Sequence, residues 1–153
     1  VVGVDVGSGQ LNEVLRDDPR VTCIERVNAR NMTLEDVLPA LAESAAGVQF
    51  DGFDLMVGDL AFISQTLVLP AAVPMLKPGG QVLMLVKPQF ELQPGQVGKG
   101  GIVTDASMFA LVERRIRDAH QALGLQVQAY FASSIQGGDG NQEFFIHSIR
   151  AQE

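Results

Sequence analysis

Two rhythms of apolar residues alternate along the chain. Runs rich in β-branched and other apolar side chains at residues 1–6, 21–27, 53–58, 81–86, 127–131 and 144–149 predict strands. Helical signals separate most of them. Residues 10–16 predict a short helix closed by the Asp17-Asp18-Pro19 turn, and Thr33-Leu34-Glu35-Asp36 opens a second helix, reaching about Ser44, with a capping-box-like start. Ser64 begins a third, which Pro70 and Pro74 kink or break. The longest helix is capped by Asp105 and ends before Gly124, with an apolar stripe of Met108, Val112, Ile116, Ala119 and Leu123; His120 on this helix is expected to be solvated. Lys77-Pro78-Gly79-Gly80 predicts a turn, and 88–103 a long loop rich in glycine and proline.

Strands alternating with helices predict a mostly parallel sheet with helices on both faces. The last two strands are joined by a loop without a helix, so they should form a hairpin, with an antiparallel strand at or near one edge. Ligands in such sheets lie beyond the carboxyl ends of the strands. Asp5, Glu25, Asp59 and Lys87 all fall at such ends.

Composition narrows the reading. A chain of 153 residues, 46% hydrophobic and 19% charged, is one domain by size and long enough to bury a core. The net charge of −7 argues against unaided nucleic-acid binding. Work on nucleic acid would need a basic partner domain, or a local patch around Arg26, Arg30, Lys87 and Lys99. A single cysteine excludes an internal disulfide and points to a reducing, cytoplasmic setting; Cys23 lies in an apolar stretch and reads as a buried structural thiol. No apolar run approaches the ~18 residues of a membrane span, and no secretory leader is visible. The first residue is valine rather than methionine, which points to an N-terminus made by processing or excision.

Several residues could carry chemistry. Asp5-Val6-Gly7-Ser8-Gly9 with Glu25 twenty residues on fits a mononucleotide or adenosyl site, and equally a strand-to-helix turn that needs small residues. The third glycine of a dinucleotide fingerprint is absent, which weakens a nicotinamide-cofactor reading. Asp59 stands where a buried strand emerges, as either a functional carboxylate or a helix cap. Lys87 ends a continuous apolar strand just before a proline, an uncommon place for lysine. Glu143 opens the final strand and reads equally as structural or functional, and His147 reads as a half-exposed strand residue. Two histidines and one cysteine make a zinc site improbable, and no nucleophile elbow exists for a serine triad.

The segments DVGSGQL, ERVNAR, FDLMVGDLAFIS, LKPGG, LVKPQFE, VGKGGIV and GNQEFFIH, in that order, resemble the hemolysin A (TlyA-type) proteins, which are FtsJ-like RNA methyltransferases. The resemblance implies a class I methyltransferase sheet of strand order 3-2-1-4-5-7-6, its seventh strand antiparallel. On that order residues 1–6 form the second strand, and the first strand and its glycine-rich loop lie upstream of this chain. The implied cofactor is S-adenosylmethionine, with no metal. The implied substrate is a ribose 2′-hydroxyl of ribosomal RNA, gripped through an S4-type N-terminal domain. Asp59, Lys87 and Glu143 match three members of a Lys-Asp-Lys-Glu catalytic set whose first lysine lies upstream. Asp5 matches an acid near the cofactor ribose, Asn28 the position facing the adenine, and Asp59 also borders the cofactor; Arg30 and Lys99 are candidate RNA contacts. Without the central strand, residues 1–6 must pair directly with 53–58 or leave open edges, with a rearranged or dimeric sheet as the expected result. The competing reading is a non-catalytic RNA- or protein-binding module on the same fold. Nothing in the sequence supports membrane activity.

Overall fold

The computed structural model describes residues 1–44 and 49–152. In chain order the elements are β1 (Val2–Asp5), α1 (Glu13–Arg16), β2 (Thr22–Glu25), α2 (Leu34–Ser44), β3 (Phe53–Gly58), α3 (Gln65–Ala72), β4 (Leu76–Val86), α4 (Pro88–Glu91), α5 (Ala106–Ala122), β5 (Leu125–Ala132) and β6 (Phe144–Arg150). Side-chain caps set several starts. Asn12 accepts from the Val14 amide, so α1 begins later than the apolar pattern suggests. Asp36 accepts from both the amide and the hydroxyl of Thr33, while Ser64 and Asp105 cap α3 and α5 through Thr66 and Ser107. Pro70 is carried inside α3; Pro74 falls in the tight turn that follows it.

The strands form two sheets. β1 pairs with β2 in parallel, from Val2–Thr22 to Asp5–Glu25. The second sheet has the order β3-β4-β6-β5, parallel between β3 and β4 and antiparallel at β4–β6 and β6–β5. The terminal hairpin therefore forms as expected. Of the two outcomes foreseen for residues 1–6, the open edge is the one adopted: among the described residues β1 pairs only with β2, and β3 only with β4.

The core lies on one face of the four-stranded sheet. Val82, Met84, Val86 and Ile146 point from the sheet toward Leu69 and Val73 of the α3 region and Val112 and Ile116 of α5. Burying a side chain of this size stabilises a fold by roughly 1.5–3 kcal/mol. The expectation of helices on both faces is corrected here. Alternate residues place Leu55, Val57 and Phe131 on the opposite face, where all three are exposed.

Two local expectations also change. The turn at 77–80 is absorbed into β4 as a bulge: Phe53 pairs with Leu76 but Leu55 with Gln81, and Gly79, at φ +78°, lets the extra residues loop out. His120 is fully buried rather than solvated. It follows Val112 and Ile116 at successive intervals of four residues, which places it on the buried face of α5. There its Nδ1 lies 2.8 Å from Ser148 Oγ and its Nε2 3.1 Å from Gln65 Oε1, so the ring keeps hydrogen bonds inside the core.

Candidate active site

Three of the residues singled out in the sequence meet at one end of the four-stranded sheet. Asp59 leaves β3 and Lys87 leaves β4, two neighbouring parallel strands whose carboxyl ends lie side by side. Lys87 Nζ stands 2.6 Å from Asp59 Oδ1. The Lys87 side chain is only 17% exposed and that of Asp59 68%. Glu143 enters from the other side of β4: Val86 pairs with Phe144, so the residue after one strand faces the residue before the other.

Glu143 is 7% exposed. Burial pushes its carboxyl above the ordinary range, the Lys87 charge pulls it down, and Asp59 and Asp139 push it up again. A Cβ at Gly137 would come within 2.5 Å of Glu143 Oε1, so only glycine leaves room for the carboxylate there. The loop that carries Glu143 is fastened by Asn141, a buried residue the sequence did not single out. Asn141 accepts from the Val103 amide and donates to the Gly101 carbonyl and to Asp139. These bonds tie the loop holding Lys99 to the segment holding Glu143. Lys99 itself is exposed at the rim of that loop. Hydrogen bonds from Asn141 hold the Asp139 carboxyl below its usual range.

The remaining candidates sit on the two-stranded side. Asp5, at the end of β1, accepts from the Gly7 amide at 2.7 Å, and Glu25 accepts from the Gly9 amide at 2.7 Å. Both acids therefore hold the glycine turn in shape. The Gly7–Gly9 segment is thus a turn stabilised by its own acids, with one Asp5 oxygen engaged in it. Asn28 caps a short turn by accepting from the Arg30 amide. Asn28 and Arg30 then line a cleft of about 520 Å³ whose other walls are Val6, the 61–64 loop, Leu67 and Phe90. This cleft is the place where the two sheets' functional loops meet. Cys23 lies elsewhere, half-buried, and burial pushes its thiol up, which suits a packing role.

Phe62 is the side chain the sequence did not flag. It is 90% exposed, adopts φ +63°, and its ring centroid lies 5.1 Å from that of Phe90. It is a bulky residue held at positive φ and presented to solvent three positions after Asp59. Nothing in the apolar pattern of residues 60–63 distinguishes it from a core phenylalanine.

No group of three or more histidine, cysteine or carboxylate side chains arranged to hold a metal occurs among the described residues. None of their helices is long and apolar enough to cross a membrane.

Solved S-adenosylmethionine-dependent methyltransferases share this fold of parallel strands finishing in an antiparallel hairpin. One such enzyme from Methanosarcina mazei shares this fold at a TM-score of 0.61, covering 100% of this chain and 82% of its own at 11% identity. Residues 1–150 match the FtsJ-like methyltransferase family, and the chain belongs to it. It is 42% identical over 146 residues to the 16S/23S rRNA (cytidine-2′-O)-methyltransferase TlyA of Mycobacterium tuberculosis, a match spanning 95% of this chain and 50% of that protein. A Streptococcus thermophilus protein described as a hemolysin superposes with a TM-score of 0.86 at 37% identity, over 99% of this chain and 50% of that one. The chain thus spans about half the length of the curated relatives it matches.

Proposed function

We propose that this chain carries the catalytic site of an S-adenosylmethionine-dependent methyltransferase that modifies a ribose 2′-hydroxyl of ribosomal RNA. The observation that carries the reading is the Lys87–Asp59 pair at 2.6 Å, placed at adjacent strand ends with Glu143 across β4. A ribose hydroxyl is a weak nucleophile and needs a base at the moment of transfer. Lys87 takes that proton at Nζ, the atom it holds against Asp59 at the strand ends. Asp59 orients the amine and balances its charge, and Glu143, in its tight seat against Gly137, aligns Lys87 or the ribose. Phe62 offers a flat apolar surface on which a base turned toward the pair can stack.

The cleft beside Phe62 suits an adenosyl group: Val6, Ile63, Leu67 and Phe90 provide apolar walls, and Asn28 a polar edge. Asp5, the chain neighbour of Val6 in that cleft, is the acid assigned to the ribose. When bound, S-adenosylmethionine supplies a methyl group activated on its sulfonium. The chain's own share of the work is to hold, orient and move one proton, and alignment of this kind supplies a large part of a rate gain. The acidic balance of −7 supports a division of labour in which a basic, S4-type domain elsewhere in the protein grips the RNA in the cytoplasm.

The test is methylation of unmodified ribosomal subunits by the full-length protein and its Lys87→Ala variant. The expected loss is about 10²–10⁴-fold in kcat, with S-adenosylhomocysteine binding preserved to within a few-fold by calorimetry. Full activity in Lys87→Ala would refute the assignment.

A further inference from the structure

The segments that follow Asp59 and Lys87 meet in a buried line of polar groups that the proposed chemistry does not use. Its first member is Glu91, the last residue of α4, which is 5% exposed. The helix is a single turn. It starts directly after Lys87 with Pro88, whose missing N–H costs nothing at that position, and it turns Glu91 back into the molecule. The Glu91 carboxylate accepts from the Ser64 hydroxyl and, at 2.9 Å, from the Gln65 amide. Arg115 of α5 donates to its backbone carbonyl. Gln65 continues the line to His120, and His120 to Ser148 of β6.

These contacts join two segments that the sequence keeps apart. Ser64 and Gln65 end the loop that begins at Asp59; Glu91 ends the turn that begins at Lys87. The one further contact between the segments that involves their rings is Phe62 on Phe90, which lies at the exposed rim. A buried carboxylate with two hydrogen bonds holds geometry better than an exposed ring pair does.

We propose that Glu91 is a positioning residue of the methyl-transfer site: by clamping the start of α3 to the end of α4, it sets the separation and alignment of Asp59 and Lys87. This rests on the functional reading above. Glu91 itself does not line the cofactor cleft, although its partner Ser64 does, and its main effect on the reaction runs through where Asp59 and Lys87 stand. Burial pushes the Glu91 carboxyl above its ordinary range while the bonds from Ser64 and Gln65 pull it down, so its burial is least costly while both bonds hold.

The experiment uses the full-length protein in three variants. Glu91→Ala removes both acceptors. Glu91→Gln keeps them in altered form, its Oε1 accepting from Gln65 and its Nε2 donating to Ser64. Ser64→Ala removes one link and tolerates folding even where Glu91→Ala does not, at the cost of the α3 cap and some Tm. Misplacement of a reacting group by about 1 Å costs about 10²-fold, so kcat in Glu91→Ala should fall at least ~10-fold. KM for ribosomal subunits should stay within about threefold of wild type, and the Kd for S-adenosylhomocysteine should weaken far less than kcat falls, although Ser64 lines the cofactor cleft. Glu91→Gln should recover most of kcat, and Ser64→Ala should fall between.

A second readout needs no turnover. The rate at which acetic anhydride acetylates Lys87, measured by mass spectrometry against exposed Lys99, should rise several-fold in Glu91→Ala and in Ser64→Ala. Unchanged Lys87 labelling in both variants overturns the proposal, as does a Glu91→Gln protein as impaired as Glu91→Ala. A parallel fall of kcat, cofactor affinity and Tm overturns it too, since that marks a purely structural residue. If the wild-type protein methylates no ribosomal RNA, the functional reading falls, while the labelling result still decides the role of Glu91.

Discussion

The two sheets of this molecule are built on different principles. In the four-stranded sheet, β4 and β6 bury every second side chain against α3 and α5, and Val82, Val86, Val112, Ile116 and Ile146 are all wholly inaccessible. In the two-stranded sheet no residue of β1 or β2 is fully buried, and each strand has only four residues. The first sheet is a packed scaffold, the second a pair of short strands held by α2 and by the loops facing α3. The proposed chemistry follows this division. Asp59, Lys87 and Glu143 stand at the strand ends of the scaffold, Lys87 and Glu143 largely buried and Asp59 held by its ion pair. Asp5, Glu25 and Asn28 stand on the looser half, where they are partly occupied in shaping their own turns. A proton-moving group gains most from rigidity, while a cofactor cradle can complete itself around its ligand.

The contrast can be broken most severely in the scaffold. Ile116→Ala should cost about 4 kcal/mol of unfolding free energy, since the side chain is wholly buried and surrounded by residues that cannot collapse onto the void. Equilibrium denaturation checks this, and a cost as small as that of a surface change would mean the scaffold is not closely packed.

A pH dependence comes next in size. Burial pushes the His120 imidazole down to about 4 from 6.5. The ring is neutral in the fold, whereas in the unfolded chain it binds a proton below 6.5. The unfolded state therefore gains protons first, and stability present above pH 6.5 is lost as pH falls toward 4, by about 3 kcal/mol in all. Glu91 acts oppositely: its raised carboxyl withdraws stability as pH rises above 4.5. Comparing wild type with His120→Gln from pH 7 to 4 isolates the histidine, because Glu91 is common to both. Parallel curves would contradict a neutral buried ring.

The smallest effect should come from the looser half. Val4→Ala removes a half-buried side chain from β1 and should cost less than about 1 kcal/mol. Backbone amides of β1 should likewise exchange hydrogen well before those of Met84 and Val86, on the same sample. Exchange at equal rates in both sheets would abolish the distinction between scaffold and cradle. Addition of S-adenosylhomocysteine to the full-length protein should slow β1 more than β4, which sharpens it.

Much of this was legible before any coordinates. Strand positions, the caps at Thr33, Ser64 and Asp105, the antiparallel hairpin and the placement of Asp59 and Lys87 at strand ends follow from local chemistry. They depend on hydrophobic period, on side chains that satisfy nearby amides, and on the rule that buried strands deliver their ligands at the carboxyl end. The family resemblance added the pairing of those residues with Glu143 as one set. What local pattern could not supply was contact between distant segments. His120 reads as solvated until its spacing from Ile116 is set against a sheet that offers Ser148 and Gln65 as partners. Glu91 and Asn141 look like ordinary polar residues in loops, and their partners lie 26 and 38 residues away along the chain. The exposure of Phe62 is invisible in a sequence that makes every phenylalanine a candidate for the core.

The sequence by itself determined which segments are strands and helices and which side chains end them, because those choices rest on neighbours within a few residues. Tertiary structure alone decided that β1 and β3 stay apart, that Lys87 closes on Asp59 at 2.6 Å, and that a buried carboxylate joins the two segments that follow them. Each of these is a matter of which distant surfaces exclude water together, and only the folded chain brings those surfaces into contact.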